Sequence, residues 1–318
     1  MIRLFDVLYL HRVLDYTNIN SKSMDKKIFM IPTTDFSFKR IFGTETNKRF
    51  LIHFLNSFVA AYTGEIADIT YLPTEHYGMT EAEHKVVFDI LCEDTCKRKF
   101  IIEMQRARQP EYKYRSIFYL ARTISSSMMA GEKKYYILPA YSVNILDFDI
   151  PEYKNNGESF WAIFLKDQKN RVLTEKVGVF YMNLCNFAAQ QADVTDEMRA
   201  WLNVLKNMPE MGDEEYAAQD DFFRSLLDEC RISKLDNVEK ESYNKSVLEY
   251  EDVKQAIALA AKESFDEGIE QGKAEGIAEG IAKGREEALL QTAKNLLELG
   301  MSAADIAKVT GVDLGDRS

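Results

Sequence analysis

What the chain has little of narrows its class before any motif is read. Its 318 residues include only 6 prolines and 4 cysteines. A collagen-like or disulfide-built chain is excluded on that count. Nowhere do roughly 18 apolar residues run without interruption, so no membrane-spanning helix is expected. The opening MIRLFDVLYLHRVLDY is broken by Asp6, Arg12 and Asp15 and is too interrupted for a secretory core. With Cys92, Cys96, Cys185 and Cys230 scattered and no signal peptide, a reducing cytoplasm is the expected setting. Cys92 and Cys96 lack a second pair and a convincing histidine partner, which favours two strand-end cysteines over a zinc site.

What is present is a core-forming composition: 46% hydrophobic residues, with 19 Phe and 16 Tyr. Disordered chains are poor in such residues. The net charge of -11, taken as one number, argues against nucleic acid as partner. Its distribution argues otherwise. Between Lys97 and Lys134 lie ten basic and three acidic residues, a local +7, interleaved with Tyr112, Tyr114 and Tyr119, whereas residues 210 to 270 carry -11.

Periodicity places the elements. Apolar residues at 50, 51, 54, 55, 58 and 59 predict an amphipathic helix over 47–62, ended by Gly64. From Lys85 the period becomes two, with Val86, Phe88, Ile90 and Cys92 expected on one face and Val87, Asp89 and Leu91 on the other. The polar stretch 93–99 and the strand-like FIIEMQ (100–105) complete a predicted antiparallel hairpin. A second helix is expected over 112–130 with Gly131 as its left-handed stop, then a strand over 134–148, a strand pair at 159–165 and 177–184, and helix from 193 onward. That order predicts an α/β domain followed by a helical tail.

In the tail, Gly268, Gly272, Gly276, Gly280 and Gly284 recur every four residues. Each glycine within a helix costs about 1 kcal/mol relative to alanine. Close packing of one helix on another would offset that cost and make this a self-association segment; a tolerated slippage tract is the equal alternative. The closing NLLELGMSAADIAKVTGV resembles the first half of a helix-turn-helix, but little chain is left for a recognition helix, which favours a helical cap.

The hairpin holds the candidate chemistry. Glu103 and Gln105 share one strand face with Ile101. If the hairpin is centred on Cys96, Asp89 lies across from Glu103, with Cβ atoms about 5 Å apart. Two carboxylates so placed repel unless a cation lies between them, and oxygen ligands of this kind suit Mg²⁺ or Mn²⁺. The backbone carbonyl of Met104 could complete such a site. Gln105 carries no charge and could orient a water or stabilise developing charge. A solvated outer face of a surface hairpin shows the same alternation, so spacing alone leaves both readings open.

Taken together, TDFSFKRIFG (34–43), FLNSFV (54–59), FDILCED (88–94), FIIEMQ (100–105), the helix carrying Arg115 and Tyr119, YYILPAYSVNILDF and the glycine tail ending in LELGMSAADIAKVTG resemble the Rpn family of recombination-promoting nucleases, also described as transposases. The resemblance runs from about residue 31 to the end. It implies a restriction-endonuclease-like PD-(D/E)XK core, a mixed central sheet flanked by helices, and Mg²⁺-dependent cleavage of DNA linked to recombination or mobile elements. The family's catalytic and metal-binding positions fall on Asp89 and Glu103, and a glutamine, Gln105, stands where the wider superfamily has lysine. Asp35 and Lys39 fall on an N-terminal motif, either near the site or pairing on the first helix. Arg106, Arg108, Lys113 and Arg115 are expected to meet nucleic acid, with a surface salt bridge as the alternative for Arg115. The domains expected are an extension or over-long start over 1–30 (Met24 being a second plausible beginning), the nuclease core over 31–210, an acidic helical segment over 211–262, and the glycine-repeat helix and cap over 263–318, through which copies of the chain could associate. An RNA-cleaving nuclease, or a non-catalytic interaction protein in which the hairpin carboxylates are merely solvated, are the other functions the residues admit.

Overall fold

A computed structural model describes residues 27–76, 86–107, 111–126, 136–148, 150, 157–187 and 194–313. The opening segment 1–26, Arg108, the predicted stop at Gly131 and Lys133 and Lys134 lie outside the described residues. Those described fall into two compact units, one ending at Lys254 and the other starting at Gln255.

The first unit is built on a six-stranded sheet in the order β1-β4-β5-β6-β8-β7, where β1 is Ile69–Tyr71, β4 Ile90–Asp94, β5 Lys99–Gln105, β6 Ala140–Leu146, β7 Phe160–Phe164 and β8 Val177–Asn183. Strands β5, β6 and β8 run parallel and the others antiparallel, so the sheet is mixed. A small ladder, β2 (Glu75–His76) with β3 (Val86–Val87), stands apart from it. The expected strand over 134–148 begins only after Pro139, which has no N–H to give the ladder, although its carbonyl accepts from Lys99 N.

Helices cover both faces. On one, α1 (Asp35–Phe42), α2 (Lys48–Thr63), α4 (Asp196–Asn207) and α6 (Asp221–Glu229) pack their apolar residues with Ile90, Cys92, Phe100, Ile102 and Met104 of the hairpin. Helix α2 buries the six positions its sequence period marks. On the other face α3 (Tyr112–Ser126) lays Tyr112 and Leu120 over Ala140, Leu146, Val179 and Tyr181. β5, α3 and β6 form the crossover that parallel strands require.

Several expected boundaries shift. Phe29 and Met30 are fully buried, and Phe29 bridges to Arg231, so the core starts before residue 31. It also continues past residue 210. After a short helix α5 (Asp213–Ala217), whose Tyr216 packs against it, α6, Leu235 and the start of α7 (Asn237–Glu298) bring Phe223, Leu226, Leu227, Leu235, Tyr243 and Val247 into the same apolar cluster. Helix α7 runs through residues 262 and 263 without a break.

The second unit consists of the rest of α7 and α8 (Ala303–Thr310). Gly300, at φ 86°, turns the chain, and Ser302 caps α8 by accepting from Asp305 N. A positive φ is what glycine adopts without strain. Ala293 of α7 and Ile306 of α8 are fully buried. Gly268, Gly272, Gly276, Gly280 and Gly284 have open space where a Cβ would stand.

Candidate active site

The hairpin register sets the site. Ile90 pairs with Ile102, Leu91 with Ile101, Cys92 with Phe100 and Glu93 with Lys99, so the ladder is centred on residue 96 and its next step puts Asp89 opposite Glu103. Asp89 sits in a bend rather than in the strand. Ahead of it β3 pairs with β2, and after it β4 pairs with β1 and β5. The bend also corrects the expected alternation: Phe88 joins Leu91 and Ile101 instead of Ile90 and Cys92.

Each carboxylate is tied to the backbone beside the other. Asp89 N donates to Glu103 Oε1 at 3.2 Å, and Met104 N donates to Asp89 Oδ2 at 2.8 Å. Glu103 is buried, as the alternation of a solvated surface hairpin does not require. Burial, then the negative charge of Asp89, pushes the Glu103 carboxyl up to about 8 from its ordinary value of 4.5. Burial likewise raises Asp89, Asp35 adds to the rise, and the Met104 N–H together with the charges of Lys39 and Arg106 opposes it.

Gln105, on the same strand face, joins this pair to a cation. Its Nε2 donates to Glu103 Oε2 at 3.2 Å, and its Oε1 accepts from the Arg115 guanidinium at 2.5 Å. Arg115 reaches that position because it stands over the rings of Tyr112 and Tyr119, 5.0 and 5.7 Å from their centroids. Tyr119 in turn packs edge-on against Phe88, next to Asp89. Beneath, Tyr112 Oη donates to Asn144 Oδ1 at 2.6 Å, and Asn144 is the β6 residue in register with Glu103. Asn144 Nδ2 donates to Ser142 Oγ and to the Phe180 carbonyl. Sequence reasoning missed Asn144 and took Tyr112 for part of an aromatic surface. The available signal was the polar pair Ser142 and Asn144, two apart in an otherwise apolar strand, which puts both on one buried face.

The other expected residues divide. Asp35 and Lys39 pair with each other at 2.9 Å along α1, and both act on Asp89 through their charge. Thr34, not Asp35, caps that helix. Arg106 acts on Asp89 in the same way. Lys113 lies over the Tyr114 ring and lines a groove with Leu120, Val177 and Val179, two residues and so about 200° round the helix from Arg115. The basic run at 97–99 does not flank the carboxylates. It sits at the turn end of the hairpin, with Lys99 already about 13 Å of strand from Glu103, where Lys97 pairs with Glu93 and Arg98 is buried against Asp94.

The donor set is hard oxygen: two carboxylates with their charge only partly offset, and the carbonyls of the strand that carries them. That chemistry fits a divalent cation of the Mg²⁺ class. Among the described residues no group of three or more His, Cys, Asp or Glu side chains is placed to hold a metal, so a cation here would rest on the pair and on non-side-chain oxygens.

A mixed sheet with helices on both faces, carrying an Asp on a bend and a Glu-x-Gln on the adjoining strand, defines an α/β protein of the PD-(D/E)XK nuclease type. Residues 32–260 match the family described as PD-(D/E)XK nuclease family transposase, and the chain belongs to that family. No curated protein and no solved structure matches the chain significantly. No helix among the described residues is long and apolar enough to cross a membrane.

Proposed function

We propose that the protein is a metal-dependent endonuclease that hydrolyses phosphodiester bonds in DNA, in a role linked to recombination or mobile elements. The observation that carries this reading is the pair of buried Glu103 and half-buried Asp89, linked through Gln105 to Arg115. Two carboxylates whose ionisation is held back, Glu103 by burial and the charge of Asp89, and Asp89 by burial and the charge of Asp35, form a poor structural feature and a good cation site. Asp89 and Glu103 would hold a Mg²⁺ or Mn²⁺ ion, with the Met104 carbonyl as a further oxygen; such an ion polarises a phosphoryl oxygen and lowers the pKa of a bound water.

The chain's own groups do the rest. Because Arg115 donates to Gln105 Oε1, the Gln105 amide must present its NH₂ to Glu103, and this fixes the carboxylate's direction. An amide takes up no proton near neutral pH, so Gln105 orients and does not act as a base. Arg115, Arg106 and Lys39 supply the positive potential that attracts a phosphate and offsets the charge developing on it. Asn144 and Tyr112 hold the platform under Arg115.

DNA is the partner this potential fits. Copies of the chain would associate through the glycine-repeat helix over 268–284, where among the described residues nothing stands near a glycine's would-be Cβ, and the four free thiols suit a reducing cytoplasm. Incubation of supercoiled plasmid with the protein and Mg²⁺ tests the enzyme. The wild type should nick, and Asp89→Ala and Glu103→Ala should not; equal nicking by all three rejects the reading.

A further inference from the structure

Helix α3 spends its aromatic residues in two directions. Tyr112 and Tyr119 turn inward to carry Arg115, whereas Tyr114 and Phe118 remain 62% and 47% exposed. At 100° per residue Phe118 lies about 60° round the helix from Arg115 and Tyr114 about 100°. Arg122 follows Phe118 by one turn on the same side. Phe118 therefore adjoins the side of the helix that faces the carboxylates, Tyr114 lies further round toward solvent with Lys113 over one face of its ring, and Arg122 accompanies them.

Resting on the nuclease reading above, we propose that the substrate is DNA with unpaired bases beside the cleavage point, and that two of those bases stack on Tyr114 and Phe118. Three physical points carry this. A large ring in water gains by covering its face, and every base offers a flat face whatever its identity. Within a duplex those faces are already stacked on one another and cannot reach a side chain on a protein surface. The two rings are one helical turn apart, about 6 Å along the axis, nearly twice the roughly 3.4 Å between stacked nucleotides of a duplex strand. Bases that meet both rings must be unstacked from each other. The partner's charge is set by Arg106 and Arg115, which attract a phosphate backbone rather than an apolar protein face.

The test is equilibrium binding by fluorescence anisotropy in EDTA, with labelled oligo(dT) and a blunt duplex of equal length, so that it reads independently of cleavage. The strand should bind more tightly than the duplex. Tyr114→Ala and Phe118→Ala should each weaken strand binding by roughly tenfold and leave duplex binding unchanged, while Tyr114→Phe and Phe118→Tyr, which keep the rings, should bind like wild type. Equal binding of strand and duplex with no effect of the alanines overturns the proposal. So does a smaller sedimentation coefficient for Tyr114→Ala or Phe118→Ala than for the wild type with strand binding intact, because the rings would then be a contact between copies. Failure of the wild type to nick plasmid would reject the nuclease reading instead, a separate result from a separate assay.

Discussion

At the scale of single residues, burial and the charge of Asp89 hold back the ionisation of Glu103. These push its carboxyl up to about 8 in the folded protein from an ordinary 4.5. Between those values the folded state keeps a proton that the unfolded chain releases, so without metal the stability is highest below the lower value and falls as pH rises through the window. Glu103→Gln removes that loss. In EDTA its melting temperature should gain on the wild type more at about pH 9 than at about pH 5, and a shift equal at both would contradict the burial argument. Cation binding needs the ionised pair, so nicking should strengthen over the same rise in pH. Arg115 offers a second test. Arg115→Lys keeps the charge but not the planar donor that reaches Gln105 from between two rings; it should lower kcat about tenfold or more while altering KM little, and a change confined to KM would make Arg115 a phosphate contact only. The carboxylates were legible from strand parity, because the side-chain period is two. The tie between Gln105 and Arg115 was not, since it depends on how α3 is rotated over the sheet.

At the scale of elements, the hairpin register followed from counting back from residue 96, whereas the bend at Asp89 did not, because it comes from β3 leaving for a different partner. The turn end shows what charged residues do when they are structural. Arg98 pairs with buried Asp94 and donates to the Thr63, Gly64 and Glu65 carbonyls, closing the end of α2, and Asp94 accepts from the backbone of Cys96 and Arg98. Arg98→Ala strands the Asp94 charge in the interior and should cost about 3–5 kcal/mol, read by urea unfolding. A cost near that of a surface pair, under about 1 kcal/mol, would show that Asp94 reaches water once Arg98 is gone. Sequence arithmetic counted Arg98 as part of a basic surface, and only its burial against α2 separates the two roles. The glycine repeat behaves differently again. With open space at each Cβ position, Gly276→Ala should stabilise α7 by about 1 kcal/mol. If copies meet through that helix, the same substitution lowers the association constant, and sedimentation separates the two effects.

At the scale of the whole molecule, the question is what the acidic charge does. Of the -11 carried by residues 210–270, -8 falls on 210–254, whose helices pack against the nuclease core, and only -3 on 255–270. Sequence counting assigned this acidity to a segment outside the core because charge shows in composition and packing does not. A chain ending at residue 210 loses Phe223, Leu226, Leu227, Leu235, Tyr243 and Val247 from the core, and with them the Tyr243 hydroxyl that accepts from Ile31 N. It should show no cooperative thermal transition, whereas a chain ending at Lys254 keeps every one of these contacts and should melt cooperatively within a few degrees of the full protein. The same shorter chain tests the charge. Residues 255–318 carry 7 basic and 12 acidic groups, so removing them takes the net charge from -11 to -6. Repulsion of this kind is screened over about 8 Å at physiological ionic strength and over about 30 Å at 0.01 M. The truncated chain should therefore bind DNA more tightly than the full chain at low salt, with the difference fading as salt approaches physiological strength, and equal affinity at low salt would show that the tail's charge does not reach the site.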